Sequence, residues 1–264
     1  MSFIETHDLT KSFGALVAVD RLNLNVETGA TFGLLGPNGA GKTTTLKMLT
    51  TLLPPTSGSA AIAGLDVVRR ADSVRRLIGY VPQMLSADGT LTGYENLLVF
   101  ARLYDLPRKE CEARVRQALD FMNLSDSADK LVREYSGGMI RRLEIAQSML
   151  HRPPLLFLDE PTVGLDPGAR RAVWEHIEQL RSQFGITILL TTHLMEEADV
   201  LCSRVAIMHH GKVVAIGSPD ELKTQVGGDV TLDDVFIHFT GDELNSGGSY
   251  RETSRTRRTA RRLG

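Results

Sequence analysis

Gly36-Pro37-Asn38-Gly39-Ala40-Gly41-Lys42-Thr43 is a glycine, four residues, then Gly-Lys-Thr. It lies between the short apolar run Thr31 to Leu35 and a helix-like run from Lys42 to Leu53 that Pro54-Pro55 closes. A strand, a glycine-rich loop and a helix in that order make a cradle for phosphate. The glycines let backbone N–H groups turn inward around phosphate oxygens, and the helix starting near Lys42 adds the positive end of its dipole. Lys42 supplies a mobile charge, and the Thr43 hydroxyl is a ligand for Mg²⁺. The expected phosphate-binding residues are Gly36, Pro37, Asn38, Gly39, Ala40, Gly41, Lys42, Thr43 and Thr44.

Further along, Leu155-Leu156-Phe157-Leu158-Asp159-Glu160 runs four apolar residues into two acids. In an open α/β sheet the carboxyl ends of the strands share one edge, so Asp159 is expected beside the phosphate loop and near a metal. Glu160 points elsewhere and can polarise a water for attack on a γ-phosphate. Buried-strand patterns return at Ile186 to Thr191 and Val205 to Met208, with the helical stretch Ala169 to Phe184 between the first two, which predicts βαβ crossovers and a parallel sheet. Nearer the N-terminus, Leu22, Leu24 and Val26 alternate with Asn23, Asn25 and Glu27, the pattern of a half-buried antiparallel strand, turned at Thr28-Gly29. From Gly93 to about His151 the pattern is helical, an insertion into the α/β core. Tyr135-Ser136-Gly137-Gly138-Met139 precedes the helix-like Arg141 to Leu150, so Ser136 can cap that helix while Gly137 and Gly138 bare backbone donors to an anion. Leu232, Val235, Phe236 and Phe239 fall at i, i+3, i+4 and i+7, a short amphipathic helix expected to pack back on the body.

Composition agrees with an α/β globule. The 264 residues are 42% hydrophobic and 23% charged, which excludes collagen-like, coiled-coil and wholly disordered chains. No apolar stretch approaches the roughly 18 to 20 residues that cross a bilayer. The first residues carry acids where a secretory signal would carry basic charge and an apolar run, so the chain is expected to stay inside the cell. Cys111 and Cys202 have no metal-ligand spacing around them, which suits a reducing compartment. The net charge of -2 hides an asymmetry: from Ser246 onward six arginines face Glu252 alone, a net +5, which leaves -7 on the rest. An acidic body argues against a nucleic-acid-binding face. The arginine-rich tail reads as disordered.

Taken in order, these motifs resemble the ATP-binding subunit of an ABC transporter, from Phe3 to about Leu222. The resemblance implies an α/β phosphate-loop ATPase core, a mixed sheet with an antiparallel N-terminal sheet, carrying a helical subdomain at about 86–151. The domain would span 1–225, followed by a helical extension at 226–245 and the tail at 246–264. It implies ATP and Mg²⁺ as cofactors, with Thr43, Gln83 and Asp159 around the metal and Glu160 and His193 as catalytic residues. Phe13 would stack on adenine; a core phenylalanine on an edge strand is the alternative. Gln83, in Val-Pro-Gln, looks like the glutamine that couples the site to a transmembrane partner. Ser136, Gly137 and Gly138 match the signature loop that meets ATP held by a second subunit, which implies a head-to-tail homodimer. Asp166, in Gly164-Leu165-Asp166, resembles the loop joining the two sites, and could otherwise be a helix cap.

The family's usual signature is Leu-Ser-Gly-Gly-Gln, and here Tyr135 and Met139 occupy its ends. Met139 lacks the hydrogen bonds of a glutamine. This form, with Thr-Leu-Asp-Asp-Val-Phe from Thr231, looks like the branch serving drug exporters of the daunorubicin-resistance type. The implied role is an ATPase at the cytoplasmic face of the cell membrane that powers export of a small molecule through a separate permease, with no nucleic acid involved. A soluble relative acting on ribosomes or DNA is the alternative, but such proteins carry tandem cassettes or a long coiled-coil insertion. A small-molecule kinase leaves the Ser-Gly-Gly loop and His193 unexplained, and a GTPase needs an Asn-Lys-x-Asp guanine reader that the chain lacks.

Overall fold

A computed structural model describes residues 2–241; the arginine-rich tail and its expected disorder lie outside the described residues. The chain opens with β1 (Ser2–Phe13), β2 (Leu16–Leu22), β3 (Asn25–Glu27) and β4 (Thr31–Leu35), then α1 (Lys42–Leu49), β5 (Ser57–Ile62) and β6 (Leu65–Asp66). Next come α2 (Ala71–Leu77), β7 (Ile78–Val81), α3 (Gly93–Leu103), α4 (Arg108–Phe121), α5 (Gly137–Met149) and β8 (Leu155–Asp159). The last part holds α6 (Pro167–Phe184), β9 (Thr187–Thr192), α7 (Met195–Leu201), β10 (Arg204–His209), β11 (Lys212–Gly217), α8 (Pro219–Val226) and α9 (Leu232–Thr240).

Two sheets form. The five-stranded one runs β2-β1-β5-β6, with β3 also paired to β1, and every pairing in it is antiparallel. The other has the order β11-β10-β4-β9-β8-β7, parallel throughout except at β10–β11. Its central strands β4, β8 and β9 are buried at every residue because both faces are covered. Side chains alternate: Leu155, Phe157, Leu189, Ala206 and Met208 join α1 and the antiparallel sheet in one core. Leu156, Leu158, Ile188, Leu190, Val205 and Ile207 join the helices in the other.

The expected alternation from Leu22 to Glu27 holds residue by residue, with Leu22, Leu24 and Val26 buried and the residues between exposed. The backbone nevertheless breaks there into β2 and β3. The Thr6 hydroxyl fills the gap in the ladder, donating to Leu22 O at 2.9 Å and accepting from Leu24 N at 2.7 Å. Helix α1 also stops at Leu49, short of the expected Leu53. Thr51 takes a left-handed φ of 66°, and the N–H groups of Leu52 and Leu53 fold back to Lys47 O. The stretch between β7 and β8 is helical, as expected. Helix α9 buries Leu232, Val235 and Phe236, and Phe236 meets the His209 ring edge-on at 6.1 Å.

Candidate functional site

The loop from Gly36 to Gly41 leaves β4 and enters α1 under tight backbone contacts. A Cβ on Gly36 would stand 2.3 Å from Met208 O, and one on Gly41, whose φ is +101°, would stand 2.4 Å from Ala18 O. A side chain at either position would push the loop off β10 or β2. Asn38 and Gly39 between them are exposed.

Lys42 opens α1 and is 4% exposed. Its Nζ donates to Gly36 O at 2.7 Å and Pro37 O at 3.1 Å, and lies 3.3 Å from Glu160 Oε1. Burial lowers the lysine pKa against the pull of Glu160 and Asp159. One residue on, the Thr43 hydroxyl donates to Asp159 Oδ1 at 3.1 Å. Strand β9 lies between β4 and β8, and Thr191 on it donates its hydroxyl to the same Asp159 oxygen at 2.5 Å. Burial pushes the Asp159 carboxyl up, outweighing those two hydrogen bonds.

Glu160 has a φ of +49°, a left-handed conformation that costs a non-glycine residue about 1 to 3 kcal/mol. Its N–H donates to Thr191 O at 3.1 Å and to the Thr191 hydroxyl at 3.0 Å, which holds the strained turn. The carboxylate enters a ring of partners. Oε2 accepts from Gln83 Nε2 at 3.1 Å; Oε1 lies 3.3 Å from both Lys42 Nζ and His193 Nδ1. Burial works to raise this carboxyl, but His193 and Lys42 prevail and hold it below the ordinary carboxylate range. Glu160 is thus an ionised, buried acceptor fixed by three groups from distant parts of the chain. An ionised carboxylate so fixed is chemically able to orient and polarise a water.

The chain therefore brings Lys42, Thr43, Gln83, Asp159, Glu160 and His193 to one cluster. The Thr43 hydroxyl, the Asp159 carboxylate and the Gln83 amide oxygen form an oxygen set that could hold Mg²⁺, an ion that takes one or two carboxylates and completes its shell with water and substrate phosphate. Among the described residues no group of three or more His, Cys, Asp or Glu side chains is arranged to hold a metal ion by itself.

Phe13 stands at the tip of the β1–β2 hairpin, whose Ala18 touches Gly41. It is 50% exposed, with the Lys11 ammonium 5.3 Å from its ring centroid. It is not a core residue. The hydrogen bonds of Ser136 and Asp166 do not reach the Lys42–Glu160 cluster. Ser136 caps α5, accepting from Met139 N at 3.3 Å, and Ser136 and Gly137 are exposed. Gly138 fits against α6, where a Cβ would stand 2.7 Å from Ala169 Cβ, and one on Gly137 would stand 3.3 Å from Leu165 Cδ2. Asp166 caps α6, Oδ1 accepting from Gly168 N at 3.0 Å and Ala169 N at 2.9 Å. Within one chain it is a helix cap. Cys111 and Cys202 are free and buried, and burial pushes the Cys202 thiol up.

Sequence reasoning missed four residues. Thr191 gives only the signal of a hydroxyl at the end of an apolar run. Arg141 and Glu144 look like ordinary helix-surface charges, yet each is 3% exposed. Glu197, in a run of acids that suits an exposed helix start, is fully buried instead. Its Oε1 accepts from the Thr162 hydroxyl at 2.6 Å and Trp174 Nε1 at 2.9 Å, and burial raises its pKa.

The ABC transporter family model matches residues 19–163. The daunorubicin/doxorubicin resistance ATP-binding protein DrrA of Streptomyces peucetius is 47% identical over 86% of this chain and 68% of its own length. The Nod factor export ATP-binding protein I of Cupriavidus metallidurans is 43% identical over 92% of this chain and 78% of its own. Among solved structures, a dimeric post-hydrolysis state of the ATP-binding cassette MJ0796, bound to ADP and Pi, superposes with a TM-score of 0.73 at 25% identity, covering 81% of this chain and 98% of that one. These likenesses place the chain in the ABC transporter family, as an ATP-binding and ATP-hydrolysing member.

Proposed function

We propose that the chain is the motor of an exporter, hydrolysing MgATP as a head-to-tail homodimer at the cytoplasmic face of the cell membrane and driving a separate permease. The observation that carries this is the convergence of Lys42, Gln83 and His193 on Glu160 from three distant segments, with Thr43 donating to the adjacent Asp159. ATP enters with its phosphates over the exposed Asn38–Gly39 backbone and its adenine on the half-exposed Phe13. Lys42 exchanges the carbonyls of Gly36 and Pro37 for phosphate oxygens. Mg²⁺, held by Thr43, Asp159 and Gln83, would neutralise charge on the β- and γ-phosphates. Glu160, kept ionised by His193 and Lys42, orients the attacking water, and Gln83 fixes its other oxygen. His193 faces the γ-phosphate from the end of β9. The Ser136-Gly137-Gly138 donors, with Ser136 and Gly137 exposed, serve the nucleotide of the second copy, with Asp166 at the join.

Export of a small molecule is supported by the two relatives, one named for drug resistance and one for Nod factor export. Among the described residues no helix is long and apolar enough to cross a membrane, so the path for cargo belongs to a partner. The test expresses the chain with and without candidate permeases. ATP hydrolysis by the purified chain, together with permease-dependent sedimentation with membranes, is the expected result. Absence of hydrolysis refutes the motor, and a hydrolysing chain that stays soluble with every candidate permease and co-purifies with ribosomes or DNA refutes the exporter.

A further inference from the structure

Arg141 and Glu144 sit one turn apart on α5, both almost completely buried, and belong to none of the motifs above. Arg141 extends its fork to the loop after β7: Nη1 donates to Pro82 O at 2.7 Å and Nη2 to Gln83 O at 2.9 Å. Glu144 reaches the other end of the same loop. Its Oε1 accepts from Ser86 N and from the Ser86 hydroxyl, the latter at 3.1 Å, while Oε2 lies 3.1 Å from Arg141 Nη1. Segment 82–86 is thus gripped at its two ends by a single ion pair, and Met84 and Leu85 between them stay exposed. Burial lowers the Arg141 pKa against the attraction of Glu144.

A buried ion pair is a costly way to pack a helix, because desolvation consumes most of its Coulomb energy. It holds here because its spare donors and acceptors close on backbone groups of one loop. A lysine could not do the same, having a point charge in place of a planar fork. The loop so held is the one whose Gln83 side chain touches Glu160. A continuous path therefore runs from Ser136 at the start of α5, through Arg141 one turn later, to the Gln83 backbone, the Gln83 amide and Glu160.

We infer that Arg141 and Glu144 are positioning residues: their pair fastens the Gln83 loop to α5, so that Gln83 holds Glu160 in place only while α5 carries the loop in register. The inference rests on the proposed role of Glu160 in orienting water. It makes the helix that begins with the Ser-Gly-Gly loop a mechanical support of the hydrolytic carboxylate in its own chain.

A double-mutant cycle on steady-state ATP hydrolysis tests it. Arg141→Gln in the native background should lower kcat about tenfold or more with little change in KM for ATP, since Gln83 and not the phosphate cradle is released. Arg141→Lys should recover only part of the rate. In a Gln83→Ala background, Arg141→Gln should add less than about twofold, because its target is already gone. Equal factors in the two backgrounds, a rise in KM at constant kcat, or an unchanged rate in Gln83→Ala alone would each overturn the inference. Thermal unfolding checks that the variants are folded, and if Arg141→Gln is not, Glu144→Gln carries the same cycle. An unchanged rate in Glu160→Gln instead defeats the underlying role of Glu160, so the two failures are distinguishable.

Discussion

Replacing Glu160 by Gln preserves shape and removes one charge from the centre of the site. Lys42 Nζ lies 3.3 Å from Glu160 Oε1, and both side chains are 4% exposed. At an effective dielectric constant of about 20, that separation corresponds to roughly 5 kcal/mol of attraction. Breaking one side of a buried pair costs about 3 to 5 kcal/mol. The Gly36 and Pro37 carbonyls continue to hold the ammonium, which favours the lower figure, about 3 kcal/mol. For a chain of this size the unfolding midpoint without nucleotide should therefore fall by roughly 6 to 12 °C. Phosphate then takes over as the lysine's partner, so MgATP should raise the midpoint more in Glu160→Gln than in the native chain. Hydrolysis should fall about 10² to 10⁴-fold, equivalent to roughly 3 to 5 kcal/mol in the barrier, and the stalled nucleotide should make the dimer visible by size exclusion. Calorimetry with and without MgATP, beside single-turnover phosphate release, reads both effects. An unchanged midpoint would deny the pair its energy, a smaller nucleotide shift would deny the exchange of partners, and native turnover would remove Glu160 from the chemistry.

Phe13, Glu197 and the pair His151 and His176 give three further outcomes. Phe13→Ala should weaken ATP binding about ten- to a hundredfold by loss of stacking, while its half-exposed position keeps the unfolding midpoint within a degree or two; unchanged affinity would dismiss the adenine contact. Glu197→Ala leaves the Thr162 hydroxyl and the Trp174 indole N–H buried without an acceptor, about 1 to 3 kcal/mol for each. Denaturant unfolding followed by the fluorescence of Trp174, the single tryptophan, should show that loss, with Glu197→Gln much milder; equal stability of the two variants would refute it. Burial holds His151 below the ordinary histidine range, against its hydrogen bond to Ile78 O, and burial with Arg142 does so for His176. The unfolded chain then binds protons the folded chain refuses, so their contribution is complete above about pH 6.5 and is lost as pH falls from there toward the depressed folded values. The midpoint of the native chain should drop more between about pH 7.5 and 5.5 than that of a His151→Gln, His176→Gln double variant, and parallel profiles would contradict this.

What was legible beforehand came from local chemistry. Gly36 to Thr43 announces itself because backbone donors, a helix start, an ammonium and a hydroxyl all come from eight consecutive residues. The apolar runs Leu155 to Leu158 in β8 and Ile188 to Leu190 in β9 predict strands buried on both faces, and the alternation from Leu22 to Glu27 predicts burial correctly even where Thr6 bridges the break in the ladder. The early end of α1 was not legible, since Thr51 in a left-handed conformation carries no sequence signal comparable to a glycine.

By itself, then, the sequence determined the element types, the covered α/β sheet and the residues able to hold phosphate, because these depend on periodicity and on neighbours within a few positions. The tertiary structure alone decided that β9 lies between β4 and β8, so that Thr191 joins Thr43 on Asp159 and supports the strained turn at Glu160. It also decided that Arg141, Glu144 and Glu197 are buried and that Ser136 and Asp166 cap α5 and α6. Such facts rest on contacts between residues far apart in the chain. An arginine or glutamate reads as a surface charge until strand order and helix packing show which backbone groups it must satisfy in the absence of water.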